Sequence, residues 1–151
     1  MDILVIDRES LTNQLISSKL TAKGHTVTVE PNKNDAFEKI RVTPYDCVML
    51  DPYPLSEARP VVMGIWKVLA GPIKPYLLLL SKTATTEEAI LAGANDVLVK
   101  PYSTLDIDTK IANAARMMEI SRHLAEEDNV HSSGGMIGKA AFNQLFLSAI
   151  D

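Results

Sequence analysis

The sequence predicts an α/β fold in which a parallel five-stranded sheet is covered by helices on both faces. Three observations predict it. Five short strand-like runs recur along the chain, most of them continuously apolar, as strands buried on both faces are. Helix-patterned segments separate each run from the next, and parallel neighbours need crossover connections of that kind. Four of the runs end on a polar side chain, Asp7, Asp51, Ser81 and Lys100, which a parallel sheet brings to one edge.

Each element follows from local signals. Residues 3–6 are a buried-type strand ending at Asp7, and Ser10 is placed to cap a helix whose Leu11, Leu15, Ile16 and Leu20 fall on one stripe before Gly24 ends it. Residues 26–30 alternate, with Val27 and Val29 on one face, and Asn34 or Asp35 caps a short helix carrying Ala36, Phe37 and Ile40. Residues 45–50 form the third strand, which runs directly into Asp51 and is stopped by Pro52. A proline-punctuated loop then leads to a helix from near Pro60, with Val62, Ile65, Trp66 and Leu69 inward and Gly71-Pro72 as its stop. Residues 76–80 are the fourth strand, ending at Ser81. A brief helix over residues 86–92 stops at Gly93, and residues 97–99 make the fifth strand, ending at Lys100-Pro101. A long helical pattern over about residues 104–127 runs through Leu105, Ile107, Ile111, Ala114, Ala115, Met118 and Leu124.

Composition sets outer limits. The 151 residues are the size of one domain, or of one domain and an appendage, and 46% hydrophobic content suffices for a core. A net charge of −4 leaves no electrostatic footprint for nucleic acid or for membrane lipid. No signal peptide is visible, and no apolar run approaches the roughly 20 residues that span a bilayer, so a cytoplasmic protein is expected. The single cysteine, Cys47, sits within an apolar strand and reads as a core residue; His25, His123 and His131 are too scattered for a metal site.

The strand ends carry the chemistry. Ligand sites of open α/β sheets lie outside the carboxyl ends of the strands, so Asp7, Asp51, Ser81 and Lys100 converge on one crevice. Two neighbouring carboxylates favour a divalent cation with oxygen ligands, Mg²⁺ being the usual one. A lysine beside them is a point charge suited to a phosphoryl group. Taken singly, Asp7 reads equally as a helix cap, Asp51 and Ser81 as turn residues and Lys100 as a surface charge; their joint placement is what points to a site.

Residues 1–120 resemble the receiver domain of two-component response regulators. The matching pieces are Leu4-Val5-Ile6-Asp7, Tyr45-Asp46-Cys47-Val48-Met49-Leu50-Asp51, Leu78-Leu79-Leu80-Ser81 and Ala92-Gly93-Ala94-Asn95-Asp96-Val97-Leu98-Val99-Lys100-Pro101-Tyr102, the last being the most specific. The resemblance implies a three-layer, flavodoxin-like α/β/α fold with sheet order 2-1-3-4-5. It implies Asp51 as phosphoacceptor, Asp7 with Asp51 and the backbone carbonyl of Tyr53 as Mg²⁺ ligands, Ser81 as the hydroxyl that follows the phosphoryl group, and Lys100 as its counter-charge. The implied partner is a sensor histidine kinase or a phosphotransfer protein, and the implied role is signalling rather than enzymatic turnover.

The chain also departs from the family pattern. Arg8 follows Asp7 where the family usually has a second acid; either Glu9 swings in to replace the lost carboxylate, or the Arg8 guanidinium pairs with Asp51 and mimics the occupied state. Val97 stands where an aromatic switch residue is common, the loop reads Pro52-Tyr53-Pro54 without the usual methionine-proline step, and the fourth helix is short. These features support a second function, a pseudo-receiver that acts as a phosphorylation-independent interaction or dimerisation module. A third class, an aspartyl-nucleophile phosphatase of the haloacid-dehalogenase type, wants a second aspartate where Tyr53 stands, and no glycine-rich loop supports a nucleotide-binding enzyme.

The remaining residues suggest an appendage. Met117, Met118, Ile120 and Leu124 extend the last helical pattern and offer a stripe for a second subunit, although such a stripe is more often core. Residues 121–138 read as a helical extension and a linker at Ser132-Ser133-Gly134-Gly135, and residues 139–151 as an amphipathic helix with Phe142, Leu145, Phe146 and Ala149 on one face. Residues 135–145 resemble the opening of GGDEF-type diguanylate cyclase domains over a short stretch that holds none of the cyclase's catalytic residues. Such a domain would be the output that the receiver regulates; the alternative is a helix that folds back on the receiver or on a neighbouring subunit.

Overall fold

The computed structural model describes residues 1–134. Five strands, β1 (Asp2–Ile6), β2 (Thr26–Val29), β3 (Cys47–Leu50), β4 (Tyr76–Ser81) and β5 (Asp96–Val99), form one parallel sheet in the order β2-β1-β3-β4-β5. Between and after them lie α1 (Ser10–Ala22), α2 (Lys33–Val42), α3 (Ala58–Lys67), α4 (Thr86–Leu91) and α5 (Thr104–Gly134), with a 3-10 turn at Leu55–Glu57 before α3. This is the flavodoxin-like topology expected of the sequence. Residues 1–118 make up one compact unit that contains the whole sheet.

The continuously apolar strands are explained by their two buried faces. Successive side chains of a strand point to opposite faces, so each strand feeds two separate cores. Leu4, Ile6, Val48, Leu50, Leu77 and Leu79 pack with Ala36 and Ile40 of α2, Ala58, Val62 and Ile65 of α3 and Ala89 of α4. Ile3, Val5, Cys47, Met49, Leu78 and Leu80 pack on the other side with Ile16 and Leu20 of α1 and with Ile107, Ile111, Ala114 and Met118 of α5. Gly93 closes α4 at φ +100, in the left-handed region, and an added Cβ would stand 2.7 Å from Met63 Cε and 3.1 Å from Val62 Cγ1. Glycine is thus required there twice, by backbone conformation and by the approach of α3.

Several local expectations are corrected. Ser10 is the first residue of α1 rather than its cap, and only Ile16 and Leu20 of the expected stripe are buried; Leu11 and Leu15 are 79% and 50% exposed. Asn32, not Asn34 or Asp35, caps α2, its side chain accepting from the Asp35 amide at 3.0 Å. The 3-10 turn feeds α3 from Ala58, ahead of Pro60, and the helix ends at Lys67, short of Gly71-Pro72. In α4, Thr85 and Glu88 form a reciprocal capping box, which explains how so short a helix is held. Met118 belongs to the core, whereas Met117, Ile120 and Leu124 are exposed. α5 continues through Ser132, Ser133 and Gly134, where a linker was expected, because propagating an existing helix costs far less than starting one and serine is only a mild helix breaker. The amphipathic segment at 139–151 lies outside the described residues. Among the described residues no helix is long and apolar enough to cross a membrane.

Candidate functional site

Strand register dictates which polar residues meet. Ile6 pairs with Leu50 and Leu50 with Leu79, so Asp7 and Asp51 leave adjacent strands at the same level, and the Asp51 amide still donates to the Ile6 carbonyl at 2.8 Å. β4 runs further, so that Ser81 pairs with Val99 and the Lys100 amide donates to the Ser81 carbonyl at 2.8 Å. The four predicted residues Asp7, Asp51, Ser81 and Lys100 therefore stand together at the carboxyl edge of three central strands and one edge strand. Asp7, Asp51 and Ser81 line a cleft of about 490 Å³ that also takes in Arg8, Glu9, Tyr53, Lys82 and Thr83.

At the base of the site Lys100 gathers three carboxylates. Its buried Nζ lies 2.6 Å from Asp51 Oδ2, 2.6 Å from Glu9 Oε1 and 2.8 Å from Asp7 Oδ2. Burial disfavours the ammonium, but its hydrogen bonds to Asp51, Asp7 and Glu9 outweigh that cost and hold its pKa above the ordinary lysine range. The same bond and charge from Lys100 hold the Glu9 carboxyl below its usual value. Asp7 is almost fully buried, with Oδ1 accepting from the Glu9 amide at 3.0 Å, while its own carbonyl accepts from the Asn13 side chain at 2.7 Å. Asp51 is held in a tight turn by the Tyr53 amide, which donates to its Oδ1 at 3.0 Å.

Ser81 is engaged in a turn of its own. Its Oγ accepts from the amides of Thr83 at 3.1 Å and of Ala84 at 3.0 Å, so the hydroxyl caps the loop that leads into α4. The Tyr53 carbonyl, which the resemblance implied as a ligand, lies at the rim of the cleft and is engaged by a side chain. It accepts from Lys33 Nζ at 3.2 Å, and the same ammonium takes the Pro52 carbonyl at 2.6 Å.

Of the two fates open to Arg8 and Glu9 in the sequence, the structure takes the first. Glu9 joins Asp7 and Asp51, and ligand oxygens of the three lie within 4.8 Å of one another, a set of hard donors that suits a metal ion such as Mg²⁺. Arg8 stacks its guanidinium 4.3 Å from the centroid of the Tyr53 ring. Glu9 was visible as an acid two residues beyond Asp7, but its direction was not. Lys33 carried no signal at all, because it reaches the loop from 19 residues away.

The comparisons with known proteins bear on the fold. No family model matches the chain. Among curated proteins it is similar to the transcriptional regulatory protein ZraR of Escherichia coli K12, 29% identical over 154 residues that cover 99% of this chain and 34% of that protein. It is also similar to the transcriptional regulatory protein QseB of Escherichia coli O157:H7, 28% identical over 74% of this chain and 51% of that one. The chain thus spans about a third of the length of its ZraR relatives. Among solved structures, a two-component response regulator of Clostridium difficile superposes with TM-score 0.67 at 22% identity, over 78% of this chain and 98% of that chain. The receiver domain of the Francisella response regulator 1452 superposes with TM-score 0.60 at 25% identity, over 78% and 96%. The likeness of residues 135–145 to a GGDEF-type domain is not carried by these relatives, and those residues lie outside the described part of the chain.

Proposed function

We propose that this chain is a receiver domain of the two-component response regulator type and that Asp51 is its phosphoacceptor, charged from a phosphohistidine of a sensor histidine kinase or phosphotransfer protein. The observation that carries this reading is the Asp51 carboxylate, partly accessible in the cleft and held 2.6 Å from the buried Lys100 ammonium. An Asp51 oxygen attacks phosphorus in line, and the phosphorus–nitrogen bond breaks with its electron pair going to the imidazole. Lys100 offsets charge on the transferring oxygens. Asp7, Glu9 and Asp51 are the side chains that would hold a divalent cation such as Mg²⁺, which supplies further charge neutralisation when bound.

Signalling follows from Ser81 in this reading. When the hydroxyl turns to donate to a phosphoryl oxygen, the Oγ shifts from the Thr83 and Ala84 amides from which it accepts, which loosens the loop ahead of α4. Residues 1–120 are the receiver in this scheme, residues 121–138 an extension, and residues 139–151 the start of an output domain, for which a diguanylate cyclase remains the sequence-based suggestion. The exposed Met117, Ile120 and Leu124 offer a homodimer contact, which sedimentation over a range of concentrations tests; Leu124→Glu should return the monomer. A phosphorylation-independent module is the lesser reading, since the carboxylate, lysine and hydroxyl that phosphorylation would use stand at one sheet edge.

Intact-mass measurement after incubation with phosphoramidate and Mg²⁺ tests the acceptor. A single phosphoryl adduct is expected on the native chain and none on Asp51→Asn. An adduct that survives Asp51→Asn, or no adduct on the native chain, rejects Asp51 as acceptor.

A further inference from the structure

Formal charge in the cleft is already balanced by side chains. Three carboxylates, Asp7, Glu9 and Asp51, face three cations, Arg8, Lys82 and Lys100. Lys82 stands 3.8 Å from Glu9 Oε2, on the side of the cleft that continues from Ser81. A fourth cation, Lys33, is committed to the Pro52 and Tyr53 carbonyls at the rim. With aspartate at position 8 the same cleft would carry two net negative charges, the deficit that one divalent cation fills. The stacking of Arg8 on Tyr53 keeps the guanidinium beside the cleft.

We propose that Arg8 and Lys82 supply the positive charge that a divalent cation would otherwise bring, so that Asp51 is phosphorylated with little dependence on Mg²⁺. This rests on the acceptor role given to Asp51 above. Transfer exchanges a carboxylate of one negative charge for an acyl phosphate of two, and Arg8 and Lys82 at the mouth meet that increment together with Lys100 at the base. With phosphoramidate as donor, an Asp51 oxygen bonds to phosphorus, the phosphorus–nitrogen bond breaks, and the nitrogen leaves as ammonia with the proton it already carries.

The test is the rate of adduct formation from phosphoramidate, followed by intact mass, with Mg²⁺ and with excess chelator. The native chain should label in chelator at a rate within roughly threefold of that in Mg²⁺. Arg8→Asp should become dependent, slowing by about tenfold or more when the cation is removed. Direct titration with Mn²⁺ should show a tighter site in Arg8→Asp than in the native chain, a readout independent of labelling. Labelling of the native chain only in Mg²⁺ overturns this proposal and leaves Asp51 as acceptor. Absence of labelling in both conditions overturns the proposal together with the acceptor reading.

Discussion

The two halves of the cleft are built on different logic. On the β3, β4 and β5 side, Asp51, Ser81 and Lys100 are set by strand register, and each backbone is tied to its neighbour by ladder hydrogen bonds. On the β1 side, Asp7 is equally fixed, but Arg8 and Glu9 are loop residues whose long side chains reach in from the rim, Glu9 to Lys100 and Arg8 to Tyr53. The contrast separates two tasks. In the proposed reading, register fixes where a phosphoryl group would be accepted, and the loop sets how the accompanying charge would be supplied.

Substitutions on the register side should break function outright, and those on the loop side should only retune it. The largest effect is expected at Lys100. Lys100→Met leaves three carboxylates facing one another without their cation, and labelling of Asp51 should slow by about a hundredfold, as when a single preorganised charge donor is removed. If Lys100→Met labels at the native rate, the division fails. Next comes Glu9→Gln, which keeps shape and removes one of three hard ligands; Mn²⁺ affinity should fall by about tenfold while labelling in chelator stays near native. Lys33→Ala frees the Tyr53 carbonyl and should raise Mn²⁺ affinity by a few-fold, about the weight of one neutral oxygen ligand.

The smallest effects are on stability against pH. Lys100 has its folded pKa above the ordinary 10.5, so its ion pairs stabilise fully below that value and fade as pH rises through the folded pKa. The melting temperature of the native chain should therefore drop on the alkaline side more steeply than that of Lys100→Met. Glu9, with its folded pKa below the ordinary 4.5, stabilises above that value and ceases to do so as pH falls through the folded pKa. Glu9→Gln should flatten that acid limb slightly, because the group is well exposed and screened.

The sheet and the strand-end half of the site were legible for a common reason. A parallel strand buried on both faces has to be apolar throughout, so the polar residue that ends it announces both the strand end and its edge. Asp7, Asp51, Ser81 and Lys100 were found in that way. Side-chain direction off the strands was not legible. Leu11 and Leu15 fit a helical stripe as well as Ile16 and Leu20 do, yet the sheet covers only the latter pair. Glu9 and Arg8 sit side by side in sequence and turn to different partners, a choice made by Lys100 and Tyr53, each more than 40 residues away. Lys33 reaches its carbonyls from a separate helix, and the continuation of α5 through Ser132 and Ser133 follows from the helix that precedes them, not from those residues themselves.

The position of Ser81 inside β4, not after it, has a mechanical consequence. All six residues of that strand are buried and it is flanked by β3 and β5, so the serine backbone is a fixed post. From it hang the hydroxyl rotor and the tether of Lys82, Thr83 and Ala84. If Ser81 follows the phosphoryl group as proposed, the sheet serves as the anvil, and displacement falls on a few residues of loop and the short helix hung from its far end.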